Sequence, residues 1–203
     1  EFGLEPGEIT TGQMIASLKR LGFERVFDTN FTADLTIVEE SREFLQRLKD
    51  GGPLPLITSC SPGWINYLEH FYPELMSYVS TCKSPQQMFG ALAKTYYAQK
   101  ANLDPENIFV VSIMPCLAKK YECQRPEMQS SGFQDVDVVL STRELAKMIK
   151  EVGLDFTSLP AEEYDEPLGD SSGAAIIFGA SGGVMEAALR TVYEMVTARE
   201  LKE

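Results

Sequence analysis

An α/β fold, in which mainly parallel sheets are flanked by helices, is predicted for this chain by three observations. Segments with apolar residues at helical spacing alternate with short β-branched runs from the first residues onward. Glycine and proline clusters punctuate the joints between them. The 203 residues, with 44% hydrophobic and 24% charged content, suffice for a folded core of ordinary composition.

Residues 11–21 carry Met14, Ile15, Leu18 and Leu21 at helical spacing, with Thr10 or Thr11 placed to cap the start and Gly22 the end. A short strand is expected at 25–27, then a longer helix over about 33–49, closed by Gly51-Gly52-Pro53. The apolar run 54–57 reads as a buried strand leading into Thr58-Ser59-Cys60-Ser61-Pro62-Gly63-Trp64. Helical spacing resumes over 64–72, and Ser84-Pro85 opens a strong helix through Met88, Leu92, Tyr96 and Tyr97 to about 101. Residues 108–113 form a β-branched strand ending at Met114-Pro115-Cys116. A strand at 136–140, a helix at 142–152, a strand at 174–178 and a helix from Gly182 onward complete the alternation. The stretch 159–172, rich in acids, proline and serine, reads as a solvated connection.

On such sheets, sites form where strands hand over to loops at their carboxyl ends, and Cys60, Cys116 and Gly179 occupy positions of that kind. A free cysteine commonly packs as a small apolar group. Cys60 and Cys116, however, both follow apolar strands and both lie near a proline. Cysteine thiolates are the usual protein ligands of iron-sulfur clusters, and Lys119, three residues after Cys116, offers a cation beside an anionic ligand. Glu122 follows at helical spacing. Cys82 and Cys123 lack such settings and read as core or partly exposed thiols. Glu40, Glu43 and Arg47 stand at i, i+3 and i+7 and share one helical face. Charges spaced this way most often form a solvated face with a salt bridge; the alternative is a line of carboxylates passing protons inward. Gly179-Ala180-Ser181-Gly182-Gly183 matches the Gly-x-Ser-x-Gly elbow of serine hydrolases, but that fold needs a histidine after the serine, and His70 comes far earlier.

The balance of 18 basic to 30 acidic residues, a formal charge of −12, disfavours nucleic acid and anionic membranes as partners. No membrane span or signal sequence is evident, which predicts an intracellular protein. Four cysteines without a Cys-x-x-Cys pair suggest neither a disulfide scaffold nor a self-contained zinc site. Glu1 begins without a methionine and Glu203 stops on a helical pattern, so the chain reads as a fragment of a longer protein.

In order along the chain, Phe27-Asp28-Thr29, Ala33-Asp34-Leu35-Thr36, the Cys60 motif, Ser84-Pro85-Gln86-Gln87, the Met114 to Glu122 motif, Thr142-Arg143-Glu144-Leu145-Ala146 and the block from Ile177 to Arg190 resemble the catalytic, H-cluster-binding domain of [FeFe]-hydrogenases. The resemblance covers residues 1–203 and implies a single incomplete fragment of the two-lobed iron-only hydrogenase fold. It implies an active centre in which a [4Fe-4S] cluster is joined through a cysteine sulfur to a diiron unit bearing CO, cyanide and a dithiolate with a bridgehead amine. Such a centre interconverts protons, electrons and dihydrogen. By this resemblance Cys116 ligates the cubane, Lys119 donates to a cyanide, and Met114 and Pro115 line the diiron pocket. Ser84, Gln86 and Phe178 lie close around it, and Glu122 steadies the loop. The family's proton route maps onto Cys60, Ser80, Glu43, Glu40 and Arg47, with Glu43 expected as the inner acid.

Two departures from the family pattern stand out. The family motif has two adjacent cysteines before the proline, the first a proton relay and the second a cubane ligand, whereas this chain reads Cys60-Ser61. Either Ser61 binds iron as a serinate, or Cys60 turns inward to ligate, or the cluster is assembled differently; thiolate preference favours cysteine. The family's third motif, with two further cubane cysteines, lies beyond Glu203, and the N-terminal electron-transfer clusters are missing as well. The isolated chain is therefore expected to hold no complete H-cluster and to be inactive. For the parent, the resemblance implies ferredoxin-like or nicotinamide-linked electron partners, diiron maturation proteins, and the cytoplasm of an anaerobic bacterium. The competing function is a non-enzymatic hydrogenase-like iron-sulfur assembly factor, or a redox sensor of the same fold, neither of which needs a proton route.

Overall fold

Helix α1, Thr11–Arg20, ends where Gly22 takes a positive φ of 100°, which lets Gly22 N–H reach the carbonyl of Lys19 and Phe23 N–H that of Leu18. This is a glycine-terminated helix end of the kind the sequence predicts. In the computed structural model, which describes residues 1–201, α2 follows at Thr29–Asp50, α3 at Pro62–Phe71 and α4 at Pro85–Leu92. A π-helical turn, Ala93–Tyr97, joins α4 to α5, Ala98–Ala101. Strand β1, Val111–Met114, leads to α6, Ala118–Glu122; strand β2, Val138–Ser141, leads to α7, Thr142–Glu151. Helices α8, Gly173–Ile177, and α9, Gly183–Thr197, complete the described chain. Lys202 and Glu203, the last residues of the expected 1–203 fragment, lie outside the described residues.

The chain divides into two compact units, one formed by Glu1–Asp28 with Lys94–Asp170 and the other by Thr29–Ala93 with Ser171 onward. In the first, β1 and β2 pair in parallel with Val111 opposite Val138 and Met114 opposite Ser141. Helix α7 packs on both strands, and its apolar face joins Leu145 and Ile149 to Ile15, Leu18, Val26 and Phe156 in one core. A buried lysine secures the start of the sheet. Lys94, 4% exposed, donates to the Gln134 carbonyl at 2.6 Å and to Asp137 at 2.9 Å, while Asp137 also accepts Val110 N–H at 2.7 Å. Lys94→Met would leave the Asp137 charge without its counterion, and a broken buried pair costs about 3–5 kcal/mol. The expected loss is about 2–4 kcal/mol, since Asp137 keeps some exposure, read as faster amide exchange of Val110 and of β1 and β2.

In the second unit α2 packs against α4, α8 and α9. Thr32 Oγ1 donates to the Pro85 carbonyl at 2.8 Å and Ser41 Oγ to that of Ala188 at 3.2 Å, so α2 is tied by hydroxyls to two neighbours.

The mixture of helices with a small parallel sheet agrees with the predicted class, but three predicted strands take other forms. At 25–27, Val26 N–H donates to the Asp165 carboxylate and Val26 C=O accepts Asp165 N–H, both at 2.8 Å, so a side chain takes the place of a strand partner. At 54–57, flanked by Pro53 and containing Pro55, pairing shrinks to one parallel bridge between Ile57 and Val79, because proline has no N–H to give. At 174–178 the apolar run is helical: Ser172 Oγ accepts Ala174 N–H, and Asp34 accepts the N–H groups of Ser172 and Ala175. Gly179 therefore follows a helix rather than a strand, and the serine-hydrolase elbow loses its required context. A side chain at Gly183 would place its Cβ 1.8 Å from the Ile177 carbonyl, so this loop needs its glycine for close backbone crossing. The acidic stretch 159–172 is likewise less solvated than expected, since Leu168 is fully buried and Asp165 holds Val26.

Candidate functional site

In the second unit the Ile57–Val79 bridge is closed by Ile57 N–H on the Tyr78 carbonyl at 2.8 Å and Ser80 N–H on that of Ile57 at 2.7 Å. Ser59 Oγ then donates to the Cys82 carbonyl at 2.6 Å, fixing the stretch before Cys60 against residues 80–82. Those three residues face Glu43 of α2. One carboxylate oxygen, Oε1, is held by Arg47 Nη2 at 2.6 Å and Nε at 3.1 Å. The other, Oε2, accepts Ser80 Oγ at 2.9 Å, Thr81 N–H at 3.0 Å, Thr81 Oγ1 at 3.2 Å and, more weakly, Cys82 Sγ at 3.8 Å. Burial works against the charge on Glu43, but the Ser80 hydroxyl, the Arg47 guanidinium and the Thr81 amide outweigh it and lower its pKa.

Glu40, one turn earlier, has the opposite setting. It is 1% exposed, and neither of its oxygens has a hydrogen-bond partner. Burial raises its pKa, with the Ser80 hydroxyl and the Ser59 backbone opposing only in part. The two carboxylates are thus pushed apart, Glu40 toward the neutral acid and Glu43 toward the anion, and the deeper burial of Glu40 gives it, rather than the expected Glu43, the inner place. That asymmetry is what a proton relay needs. The solvated-face reading of Glu40, Glu43 and Arg47 is overturned, because Arg47 and Glu43 side chains are only 11% and 15% exposed.

Cys60 is half-buried, and Ser61, exposed, stands before α3 without using its hydroxyl as a cap. Ser84 is buried and caps α4, its Oγ accepting Gln87 N–H; Gln86 is also buried, and Phe178 is half-buried after α8. In the first unit β1 delivers Met114, then Pro115 and an exposed Cys116. Lys119 bridges both oxygens of the buried Glu122 at 3.1 and 3.0 Å. Lys120 likewise grips Glu144 at 2.6 and 2.7 Å, and Glu144 also closes a capping box with Ser141, tying α6 to α7. The Lys120 ammonium and the Ser141 amide and hydroxyl lower the Glu144 pKa to about 2.

The structure therefore assembles Glu40, Glu43, Arg47 and Ser80 within one unit, and Lys119 with Glu122 within the other. In kind, the donors suit an iron-sulfur group: an exposed thiol at the end of β1 and an ammonium three residues later. In number they fall short, since among the described residues no three His, Cys, Asp or Glu side chains gather to hold a metal ion.

The sequence matches, over residues 1–203, the family described as iron only hydrogenase large subunit, C-terminal domain. The chain belongs to that family. It is 56% identical to the NADP-reducing hydrogenase subunit HndD of Solidesulfovibrio fructosivorans, over 100% of this chain and 36% of the relative. It is also 56% identical to the periplasmic [Fe] hydrogenase large subunit of Nitratidesulfovibrio vulgaris, over 98% of this chain and 48% of the relative. The chain thus spans less than half the length of these hydrogenases. An apo [FeFe]-hydrogenase from Chlamydomonas reinhardtii superposes with a TM-score of 0.86 at 48% identity, covering 98% of this chain and 51% of that one. The cytosolic Fe-S cluster assembly factor narfl of Xenopus tropicalis is more distant, at 36% identity over 89% of this chain and 40% of the relative. Family membership implies iron-sulfur chemistry, and no helix among the described residues is long and apolar enough to cross a membrane.

Sequence reasoning missed Thr81 and Cys82 as partners of Glu43, and Lys94 with Asp137. A hydroxyl and a thiol directly after Ser80 were a legible signal in hindsight; the lysine, on a helical face, carried none.

Proposed function

We propose that the parent of this chain is an [FeFe]-hydrogenase that reversibly reduces protons to dihydrogen, and that residues 1–203 are an incomplete fragment of its catalytic domain, inactive alone. The observation that carries this reading is the split pair, a buried unpartnered Glu40 and a multiply bonded Glu43, with Ser80 beside both. An assembly factor would not need a proton route. When bound, the [4Fe-4S] and diiron parts of the H-cluster supply the electron transfer and bond-making at iron. Cys116 would hold the cubane, with Cys60 or Ser61 at the second ligand position. Lys119, steadied by Glu122, would face the anionic ligands, and the family resemblance assigns Met114 and Pro115 of the first unit, and Ser84, Gln86 and Phe178 of the second, to the same group.

The protein's own part is to move protons. Cys60 would hold a proton at its sulfur where Ser61 takes the ligand position; Glu40 carries a proton as a neutral acid, Ser80 passes it by accepting one hydrogen and releasing another, and Glu43 takes it as the outer base. Arg47 holds Glu43 in position. Ferredoxin-like or nicotinamide-linked carriers would exchange the electrons, and maturation proteins would deliver the diiron unit. A cytoplasmic setting in an anaerobe belongs to the same proposal, tested by fractionating the source cells.

The matured parent is expected to evolve dihydrogen from reduced viologen, and Glu40→Gln to cut that rate by about 10²-fold or more while the infrared bands of the centre persist. A matured parent without hydrogen turnover would return the assembly-factor reading to first place.

A further inference from the structure

We propose that the route's contact with solvent is the hydroxyl of Thr81, and that Arg47 anchors the route without carrying protons. This rests on the relay reading above and concerns where it ends. The two oxygens of Glu43 have different surroundings. Oε1 is held by Arg47, with a longer share of the Thr81 N–H at 3.3 Å, and the guanidinium also donates to the carbonyls of Pro53, Ser77, Tyr78 and Val79 at 3.2, 3.3, 3.2 and 2.7 Å. A guanidinium so committed has no lone pair to accept a proton and does not release one at any pH at which the fold survives. Arg47 is also mostly buried, with an 11% exposed side chain.

Oε2 receives Ser80 Oγ at 2.9 Å from the inner side and Thr81 Oγ1 at 3.2 Å from a residue that is exposed. A single oxygen thus touches an inward hydroxyl and an outward one. A hydroxyl both donates and accepts, so it can hand on one hydrogen while taking up another. During uptake, a hydronium or buffer acid gives its proton to Thr81 Oγ1 as the Thr81 O–H hydrogen passes to Glu43 Oε2, leaving water or buffer base, a neutral Glu43 and an intact threonine. Release runs the same transfers backwards, and no electrons move. Cys82 Sγ, at 3.8 Å and half-buried, is the weaker neighbour of the same oxygen.

The test uses the matured full-length enzyme. Thr81→Val keeps the shape and the backbone N–H that binds Glu43 but removes the hydroxyl. Turnover is expected to fall by about 10²-fold, with a larger solvent deuterium isotope effect. The infrared bands of the centre should stay unchanged, and the Glu43 carboxyl band should exchange more slowly into D2O. Thr81→Ser and added imidazole buffer should each restore the rate. Normal turnover and exchange in Thr81→Val, beside an inactive Glu43→Gln, would overturn the port and leave the relay standing. Normal turnover in Glu43→Gln would overturn both. A slow Thr81→Val that neither serine nor imidazole rescues would mean a structural role and would also overturn the port.

Discussion

Replacing Glu43 by glutamine in the matured parent is expected to lower hydrogen turnover by roughly 10²- to 10⁴-fold, the range for loss of a positioned acid or base, while the active-centre spectrum persists. Glutamine matches the shape: its one carbonyl oxygen can still accept from Arg47 while its NH2 donates to the Ser80 hydroxyl, so the fold around 80–82 should survive the loss of the Thr81 bonds. What disappears is the group that changes protonation state. The pH dependence gives a second, independent signature. Because the native environment lowers the Glu43 pKa, this residue contributes stability that is present above the ordinary carboxylate pKa and is lost as pH falls through its folded value. The stability gap between native and Glu43→Gln enzymes should therefore be widest near neutrality and close on acidification. Glu40, with a raised pKa, runs the other way: its protonated form suits the fold, and ionisation at higher pH opposes it. Glu40→Gln should then be slow yet no less stable at alkaline pH. Unfolding curves for the two variants from pH 4 upward would separate them, and turnover in Glu43→Gln equal to the native rate would end the relay role.

The same two residues mark what the sequence made legible. Spacing on α2 places Glu40, Glu43 and Arg47 on one face, but burial distinguishes a proton route from a solvated face, and burial depends on which segment lies opposite. That segment, 80–82, is positioned by the one-bridge contact of Ile57 with Val79, too short to leave a periodic trace. The parallel pairing of β1 with β2 was legible because both runs are β-branched and each leads into a helix. The 174–178 run is β-branched and apolar too, yet it coils into α8, because Asp34, on a distant helix, supplies acceptors for its first amides. Local propensity yields where a remote side chain satisfies the backbone better. Val26 tells the same story with Asp165. The helix end at Gly22 and the start at Ser84 were legible, since caps are written in adjacent residues, whereas Thr10 stands at the start of α1 without a side-chain capping bond.

Cys116→Ala in the parent is expected to abolish the complete iron-sulfur centre, seen as loss of its visible absorption and bound iron after reconstitution with iron and sulfide. The reason to expect a large chemical effect with a small structural one lies in the exposure of this thiol. Cys116 is exposed after β1, and the nearby structure is secured elsewhere, by Lys119 on Glu122 and by Lys120 on Glu144. A surface truncation of that kind changes stability by no more than about 0.5 kcal/mol. Loss of iron with unchanged apo-protein unfolding would therefore report ligation rather than misfolding. The Cys60-Ser61 pair is separable by the same assay. Thiolate is the better iron donor, so Ser61→Ala is expected to keep its iron and Cys60→Ala to lose it. If Cys60→Ala instead keeps its iron and loses only turnover, Cys60 is the relay and Ser61 the remaining candidate ligand. Full iron content in Cys116→Ala would remove the strand-exit thiol from the site altogether.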